Sequence, residues 1–465
     1  MHLSRIQLLW AFIAFVALIR LVTLALYPLM DTTEARYGEI ARIMVETGNW
    51  ITPQIDYDKP FWGKPPLYAW VSGLSILVLG NSEFALRLPH LVAAIVILIL
   101  LWKFAIHLKL SAMKATTAVA IVSTSAGFLI ASGVIMTDML LSLSMIMVMT
   151  GFWRGWHGEP QYNYFMYFGL AIGLLAKGPL IIILAGFAIF PWLVINNGYL
   201  NLWEQIWKRS NILSGLALVL LISGPWYLLA EKATPGFLEY FFIGEHFQRF
   251  IDSGWQGDLY GSGHARSRGT IWLYWFLVAL PWSPLLMLIA YRKFLLRKKV
   301  DHSVNGLTSF LFCWMLSPLI LFTSAANILP AYVLPGLPAI GLLIAPNFHF
   351  THQKRNDLLF LAGPLLLVII AARLIFWTDE NGYKFSEKTL LNSDIDSSLP
   401  LYYYKTRPYS AQYYSNGKAK ITDTTQPGDN MFYLVIKKRQ INDSIKNNCF
   451  AKASNKKRIL YFCQK

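Results

Sequence analysis

Residues 31–67, DTTEARYGEIARIMVETGNWITPQIDYDKPFWGKPPL, form the longest polar interruption in the first half of an otherwise apolar chain. Asp31, Glu34, Glu39, Arg36 and Arg42 fall within twelve positions, and Lys59-Pro60 and Lys64-Pro65 follow. Charge packed this densely behind a hydrophobic run adds nothing to the stability of a membrane chain, so it points to chemistry at the membrane surface. A second polar stretch, 231–270, gathers Glu245, His246, Arg249, His264, Arg266 and Arg268 together with Gly244, Gly254, Gly257, Gly261 and Gly263. Exposed backbone N–H groups and arginine forks of this kind suit an oxyanion such as phosphate. His246 and His264 do not match a zinc spacing. Asp138, in MTDML, lies at a helix edge close to hydrocarbon, where a lone acid is costly unless paired or hydrated, so a functional role is expected. Lys177 before Gly178-Pro179 reads as a similar surface cation. Tyr332, in the proline-rich turn SAANILPAYVLPGLPAI, is either an interfacial anchor or a substrate contact.

The elements that must position these residues follow from composition. Of 465 residues, 55% are hydrophobic and only 14% charged, against about 25% in soluble proteins, so the class is a polytopic all-α membrane protein. Net charge of +16 would suggest nucleic acid in a soluble protein. Here the basic residues sit mostly in short loops between spans, where topology and anionic head groups account for them, and no nucleic-acid partner is expected. The apolar run after the basic N-terminus is too long for a signal peptide and reads as a retained first span.

Candidate spans are 6–29, 84–108, 115–131, 134–153, 163–176, 178–196, 211–230, 271–291, 305–324, 328–346 and 357–377, with 67–80 a partial helix or a further crossing. Eleven spans place the Lys/Arg-rich loops on one side, and twelve or thirteen are the alternatives. The polar loops 31–66 and 231–270 and the tail from about 378 then share the outward side. Within the first loop, 32–47 reads as an amphipathic helix lying on the bilayer. Tyr37, Ile40, Ala41, Met44 and Val45 occupy one face and Glu39, Arg42 and Glu46 the other; Asp31, Thr32 or Thr33 caps its start and Gly48 its end. The tail, 378–465, reads as a small α/β domain with strands at 430–437 and 458–463. Cys313 lies in an apolar run, and Cys449 and Cys463 could pair if the tail faces an oxidising compartment.

TEARYGEIARIMVETGNWITP, the lysine of GKPPL, EHFQRF and LPAYVLPGLP, taken in this order, resemble the bacterial lipid-phosphate-dependent glycosyltransferases of the GT-C fold. The group most similar in motif is the 4-amino-4-deoxy-L-arabinose lipid A transferases, relatives of the protein O-mannosyltransferases. The resemblance implies a GT-C transmembrane catalytic domain of about 11–13 helices over 1–377 and a periplasmic soluble domain over 378–465. It implies a multi-pass protein of the bacterial inner membrane, taking a sugar from undecaprenyl phosphate on the periplasmic face. Lipid A or another envelope glycolipid is the implied acceptor. Asp31 or Glu34 would act as base or orient that acceptor. Lys64, Arg266 or Arg268 and Tyr332 would hold the donor phosphate, supported by Arg36, Tyr37 and His264. The chain departs from the family in three places. Its acid lies at Asp31, two residues early, beside Thr33-Glu34; Gly63 stands where an acid commonly precedes the lysine; and Asn327 stands where a lysine is frequent. Gly63 removes a metal ligand, leaving Asp138 as the candidate for a divalent metal, the one cofactor left open. Alternatives are a protein O-glycosyltransferase using the same class of donor, and a lipid-linked sugar transporter.

Overall fold

The structure is a computed structural model that describes residues 4–252, 255, 257, 259–260, 266–295, 306–325, 327–348, 385–393, 395–396, 398–441, 445 and 448–464. The expected span 357–377 and His264 lie outside the described residues. Helix α1 (Arg5–Thr23) opens on a capping box in which Ser4 and Gln7 satisfy each other's backbone N–H. Helix α2 (Thr33–Thr47) ends at Gly48, whose φ of 69° is the left-handed conformation that glycine adopts without strain. A short hairpin, β1 (Gln54–Asp56) and β2 (Lys59–Pro60), leads to α3 (Leu67–Leu79) and α4 (Glu83–His107). There follow α5 (Ala112–Ser123), α6 (Ala126–Ala131), α7 (Thr137–Trp156), α8 (Gln161–Lys177), α9 (Leu180–Asn197), α10 (Leu202–Arg209) and α11 (Ile212–Ala233).

The polytopic helical fold is as expected, but its spans are divided differently. Among the described residues five helices are long and apolar enough to cross a membrane, or six if the bent pair 270–278 and 282–292 counts as one. That count is of the described residues alone, and the expected span 357–377 is outside them. The expected span 115–131 is broken at Thr124 and Ser125 into α5 and α6, and the expected span 271–291 turns through 106° between its halves. Leu67–Leu79 and Leu307–Thr323 are apolar but short of a span's length.

Helices α7 and α8 pack antiparallel through small residues. A Cβ at Gly151 would stand 2.6 Å from the Met166 nitrogen, and one at Gly173 would stand 2.4 Å from Ser144 Oγ. Backbones approach this closely only where side chains are absent, which is how membrane helices pack without a hydrophobic drive.

The tail forms a five-stranded sheet of order β4-β3-β5-β7-β6, with strands β3 (Leu401–Tyr404), β4 (Ala419–Thr422), β5 (Met431–Lys437), β6 (Cys449–Ser454) and β7 (Arg458–Gln464). Strand β5 is central, so both of its faces are apolar: Tyr433 and Val435 bury on one side, Phe432, Leu434 and Ile436 on the other. Of the three consecutive tyrosines, Tyr403 is fully buried in that core. A disulfide joins Cys449 to Cys463, which face each other across β6 and β7.

Helix α2 does not lie on the bilayer with a solvated polar face. Most of that face is covered: Glu39 and Arg42 are buried while Glu46 stays exposed, and Arg42 donates to both Glu39 oxygens at 2.7 Å, to Glu46 and to the Tyr57 hydroxyl. The cover comes from the β1–β2 hairpin and from helix Tyr409–Tyr414 of the tail, which packs on α2. Sequence spacing separates polar from apolar faces, but it does not say whether a polar face meets water or a polar partner.

Candidate active site

Several polar residues converge where helices end. Asp138 stands in the first turn of α7 and Lys177 in the last turn of its antiparallel partner α8, so the two ends meet. Lys177 donates to Asp138, and both are buried. Each charge also matches the dipole of its own helix end, which favours an acid at an N-terminus and a cation at a C-terminus. The Lys177 ammonium lies 4.3 Å from the centroid of the Tyr332 ring, carried by the turn Pro330–Gly336. Such a cation over an aromatic face is held by the ring quadrupole.

Beside this pair lies a second one. Lys64, three residues before α3, donates to Glu245, and Arg249 donates to both Glu245 oxygens at 2.7 and 2.8 Å. Burial pushes the Glu245 carboxyl up, but Lys64 and Arg249 outweigh it and hold it below the usual range. His246 sits between the carbonyl oxygens of Phe241 and Lys177, and burial, helped by Lys64, keeps its ring neutral to lower pH than usual. The segment Tyr240–Gln248 is π-helical, a wider winding that recurs at functional sites.

Aromatic rings wall the cluster. Tyr37 packs on Tyr68 with centroids 4.4 Å apart, and Phe61 on Tyr260 at 4.7 Å. The Arg36 guanidinium lies over Tyr37 and Phe61 and donates to the Tyr260 carbonyl at 3.0 Å. Arg36 Nε, the Tyr68 hydroxyl and Asn327 Oδ1 are buried without a hydrogen-bond partner among the described residues. Orphaned polar atoms are rare in native interiors, and three around one cluster fit a site that a polar ligand completes.

Lys64, Tyr332, Asp138, Arg36 and Tyr37 are thus brought to one place. Asp31 and Glu34 are not a pair on one helix face, because α2 begins after Asp31. Asp31 accepts from the backbone N–H of Ser410 at 3.0 Å and from its hydroxyl. Burial raises its pKa to about 6 against the lowering effect of those bonds. Glu34 accepts from Arg87 Nε at 2.7 Å and Nη2 at 3.0 Å. Arg87, fully buried in α4, also donates to the carbonyls of Leu24, Tyr27 and Pro28, closing the chain between α1 and α2. Arg266 and Arg268 are exposed. Their place in the cluster is taken by Arg249, one turn beyond Glu245. Arg87 was legible as a lone charge inside an apolar run, a costly feature that asks for a partner. Asp138 does not fit a metal: its partner is a cation, and no group of three metal-binding side chains occurs among the described residues. Gly63, where an acid was expected, lies so near Phe61 that a Cβ would come within 2.9 Å of its ring.

The sequence profile of the dolichyl-phosphate-mannose-protein mannosyltransferase family matches residues 6–241, half of the chain. The chain belongs to this family. Within it, the chain is 28% identical over 344 residues to an undecaprenyl phosphate-alpha-4-amino-4-deoxy-L-arabinose arabinosyl transferase of Erwinia tasmaniensis. That match covers 72% of this chain and 58% of the relative. A transferase of the same name from Aeromonas hydrophila is 29% identical over 350 residues, 73% of this chain and 59% of the relative. The chain therefore spans less than two thirds of the length of the curated relatives it matches. The fold resembles ArnT from Cupriavidus metallidurans, with a TM-score of 0.78 for the structure bound to undecaprenyl phosphate and 0.75 for the apo state. Identities are 16% and 15%, and 97% of both chains is covered in each case. The likeness of fold to this structure thus extends through the C-terminal sheet.

Proposed function

We propose that the protein is a glycosyltransferase that moves a sugar from a polyprenyl phosphate, with residues 1–377 as the transfer domain and 378–465 as a soluble domain. The observation that carries this reading is the meeting of half-buried Lys64, Arg249 and Tyr332 with buried Glu245, Asp138 and Lys177 at one end of the helices. When the sugar–phosphate bond breaks, its electron pair goes to phosphate oxygen. Lys64 and Arg249, already held in place by Glu245, stabilise that charge in a site partly shielded from water. Beside this cradle stands the buried carboxylate of Asp138, held by Lys177, and it serves as the base. It takes the proton of the incoming acceptor oxygen as that oxygen bonds to the sugar carbon, while Lys177 turns to the phosphate. Asp31 and Glu34 shape the loop around the reaction.

The donor is undecaprenyl phosphate bearing a sugar, aminoarabinose by analogy with the named relatives, and the acceptor is lipid A or another envelope glycolipid. The compartment is the bacterial inner membrane with the site on the periplasmic side, where the Cys449–Cys463 disulfide is also at home. A protein acceptor is the second reading, favoured by the family whose profile the chain matches. Purified protein incubated with undecaprenyl-phosphate sugars and each acceptor class tests both. Transfer to glycolipid that is lost in Lys64→Ala supports the first reading, transfer to peptide alone supports the second, and no donor consumption overturns both. Mass analysis of lipid A from cells with and without the gene checks the first in vivo.

A further inference from the structure

A cavity of about 910 Å³ opens where the tail meets the first loop, and seven basic residues line it against two acids, Asp31 and Glu387. Six of the seven form two Lys-Lys-Arg runs, Lys437–Arg439 and Lys456–Arg458. The sheet brings the runs together. Lys437 at the end of β5 faces Arg458 at the start of β7, and the Lys438 N–H donates to the Lys457 carbonyl at 2.9 Å. Both acids are already engaged: Asp31 accepts from Ser410, and Glu387 accepts from Arg458 at 2.6 Å and from Asn455. Crowding among like charges is visible at Lys437, whose pKa is lowered by partial burial and by Arg458, Arg439 and Lys457.

An excess of cations around a concave space is a site for a multiply charged anion. Two further observations narrow it. Asp31 follows the end of α1, a helix long and apolar enough to cross a membrane, by only eight residues, which keeps the cleft within reach of lipid headgroups. Tyr409 lines the cleft and also flanks Arg36, whose guanidinium lies 5.8 Å from its ring centroid, so one side chain borders both this cleft and the buried cluster.

We propose that this cleft binds the phosphorylated headgroup of a lipid, which serves as the acceptor. The word acceptor rests on the transfer reading; the binding does not. The phosphates would lie between the two Lys-Lys-Arg runs, and the rest of the headgroup would extend past Tyr409 toward Arg36.

Full-length protein in nanodiscs of zwitterionic lipid, without donor, can be titrated with an acylated disaccharide bisphosphate and with its dephosphorylated form. A variant carrying Lys438→Glu, Arg439→Glu, Lys456→Glu and Lys457→Glu changes only exposed side chains. A second variant, with Lys438→Arg, Arg439→Lys, Lys456→Arg and Lys457→Arg, keeps the charge. The expected result is affinity for the phosphorylated lipid about tenfold or more weaker in the glutamate variant and retained in the charge-preserving one. The dephosphorylated lipid should bind wild type more weakly by a similar factor. Equal binding of both lipid forms, or a glutamate variant that binds as wild type does, overturns the proposal. Inorganic phosphate that competes mole for mole overturns the lipid headgroup as the ligand. Donor binding by Lys64→Ala, measured in the same nanodiscs, stands or falls separately, so failure of the transfer reading is distinguishable from failure of this one.

Discussion

Lys177 donates to Asp138 at 2.5 Å, joining the last turn of α8 to the first turn of α7 in buried surroundings. Removing one partner leaves the other charge uncompensated, which typically costs about 3–5 kcal/mol. Asp138→Ala should therefore lower thermal stability by that order. Replacing both, as Asp138→Leu with Lys177→Met, should restore most of the stability while sugar transfer stays absent. Thermal unfolding and a transfer assay on the same preparations check the pair. Recovery of transfer in the double variant would remove Asp138 and Lys177 from the chemistry.

Lys64→Ala should act differently. Glu245 keeps Arg249 as a partner, so the fold should hold. The phosphate would lose one preorganised cation, an effect on the order of 10²–10³ in turnover for a donor in a water-excluded site. Steady-state kinetics against donor concentration measure this, and an unchanged rate in folded Lys64→Ala would place the phosphate elsewhere.

For Glu34 the expectation is a structural role. Glu34→Gln should reduce stability by weakening the two-pronged bond to Arg87, yet leave the acidic limb of the pH–rate profile where it is. Arg87→Leu should be the harsher change, at about 3–5 kcal/mol, because it strands a buried carboxylate and three carbonyl oxygens. A shift of the acidic limb in Glu34→Gln would restore Glu34 as the base.

Asp31 predicts a pH dependence of definite sign. Its pKa rises from the ordinary 3.8 to about 6 on folding, chiefly through burial, with Glu387 adding to the rise and Ser410 and Arg458 opposing it. Between those two values the folded state holds the extra proton, so this group's contribution to stability is complete below about pH 4 and is lost as pH rises through about 6. Asp31→Asn mimics the protonated form and should flatten that part of the stability curve. Thermal unfolding from pH 4 to 7, wild type minus variant, reads it directly; identical slopes would mean that Asp31 ionises as freely in the fold as outside it.

What could be read in the residues and what could not divides by the range of the interaction. Strands β5 and β7 and helices α2, α7 and α8 follow from local periodicity and were located to within a few residues. Asp138 and Lys64 stood out because a charge beside hydrocarbon needs a reason. The partners did not stand out. Arg87 lies 53 positions from Glu34, and Ser410 lies 379 from Asp31, so only tertiary packing selects them. Arg266 and Arg268, in the glycine-rich segment that reads as the anion site, are exposed, whereas the half-buried Arg249 just beyond the π-helical turn pairs with Glu245. The breaks after Thr124 and after Val278 fall inside apolar runs, where hydropathy is continuous across a change of direction.

The first and last parts of the chain are stitched together at many points. Asp31 meets Ser410, Asp56 meets Arg407 at 2.7 Å, and Glu83 accepts from both Lys388 and Tyr414. A chain made and inserted from its N-terminus must hold these acids in waiting until residues 388–414 emerge. The loop that opens the sequence is consequently among the last regions to reach its mature form, and a protein cut short after the helices would leave it without its lid of partners.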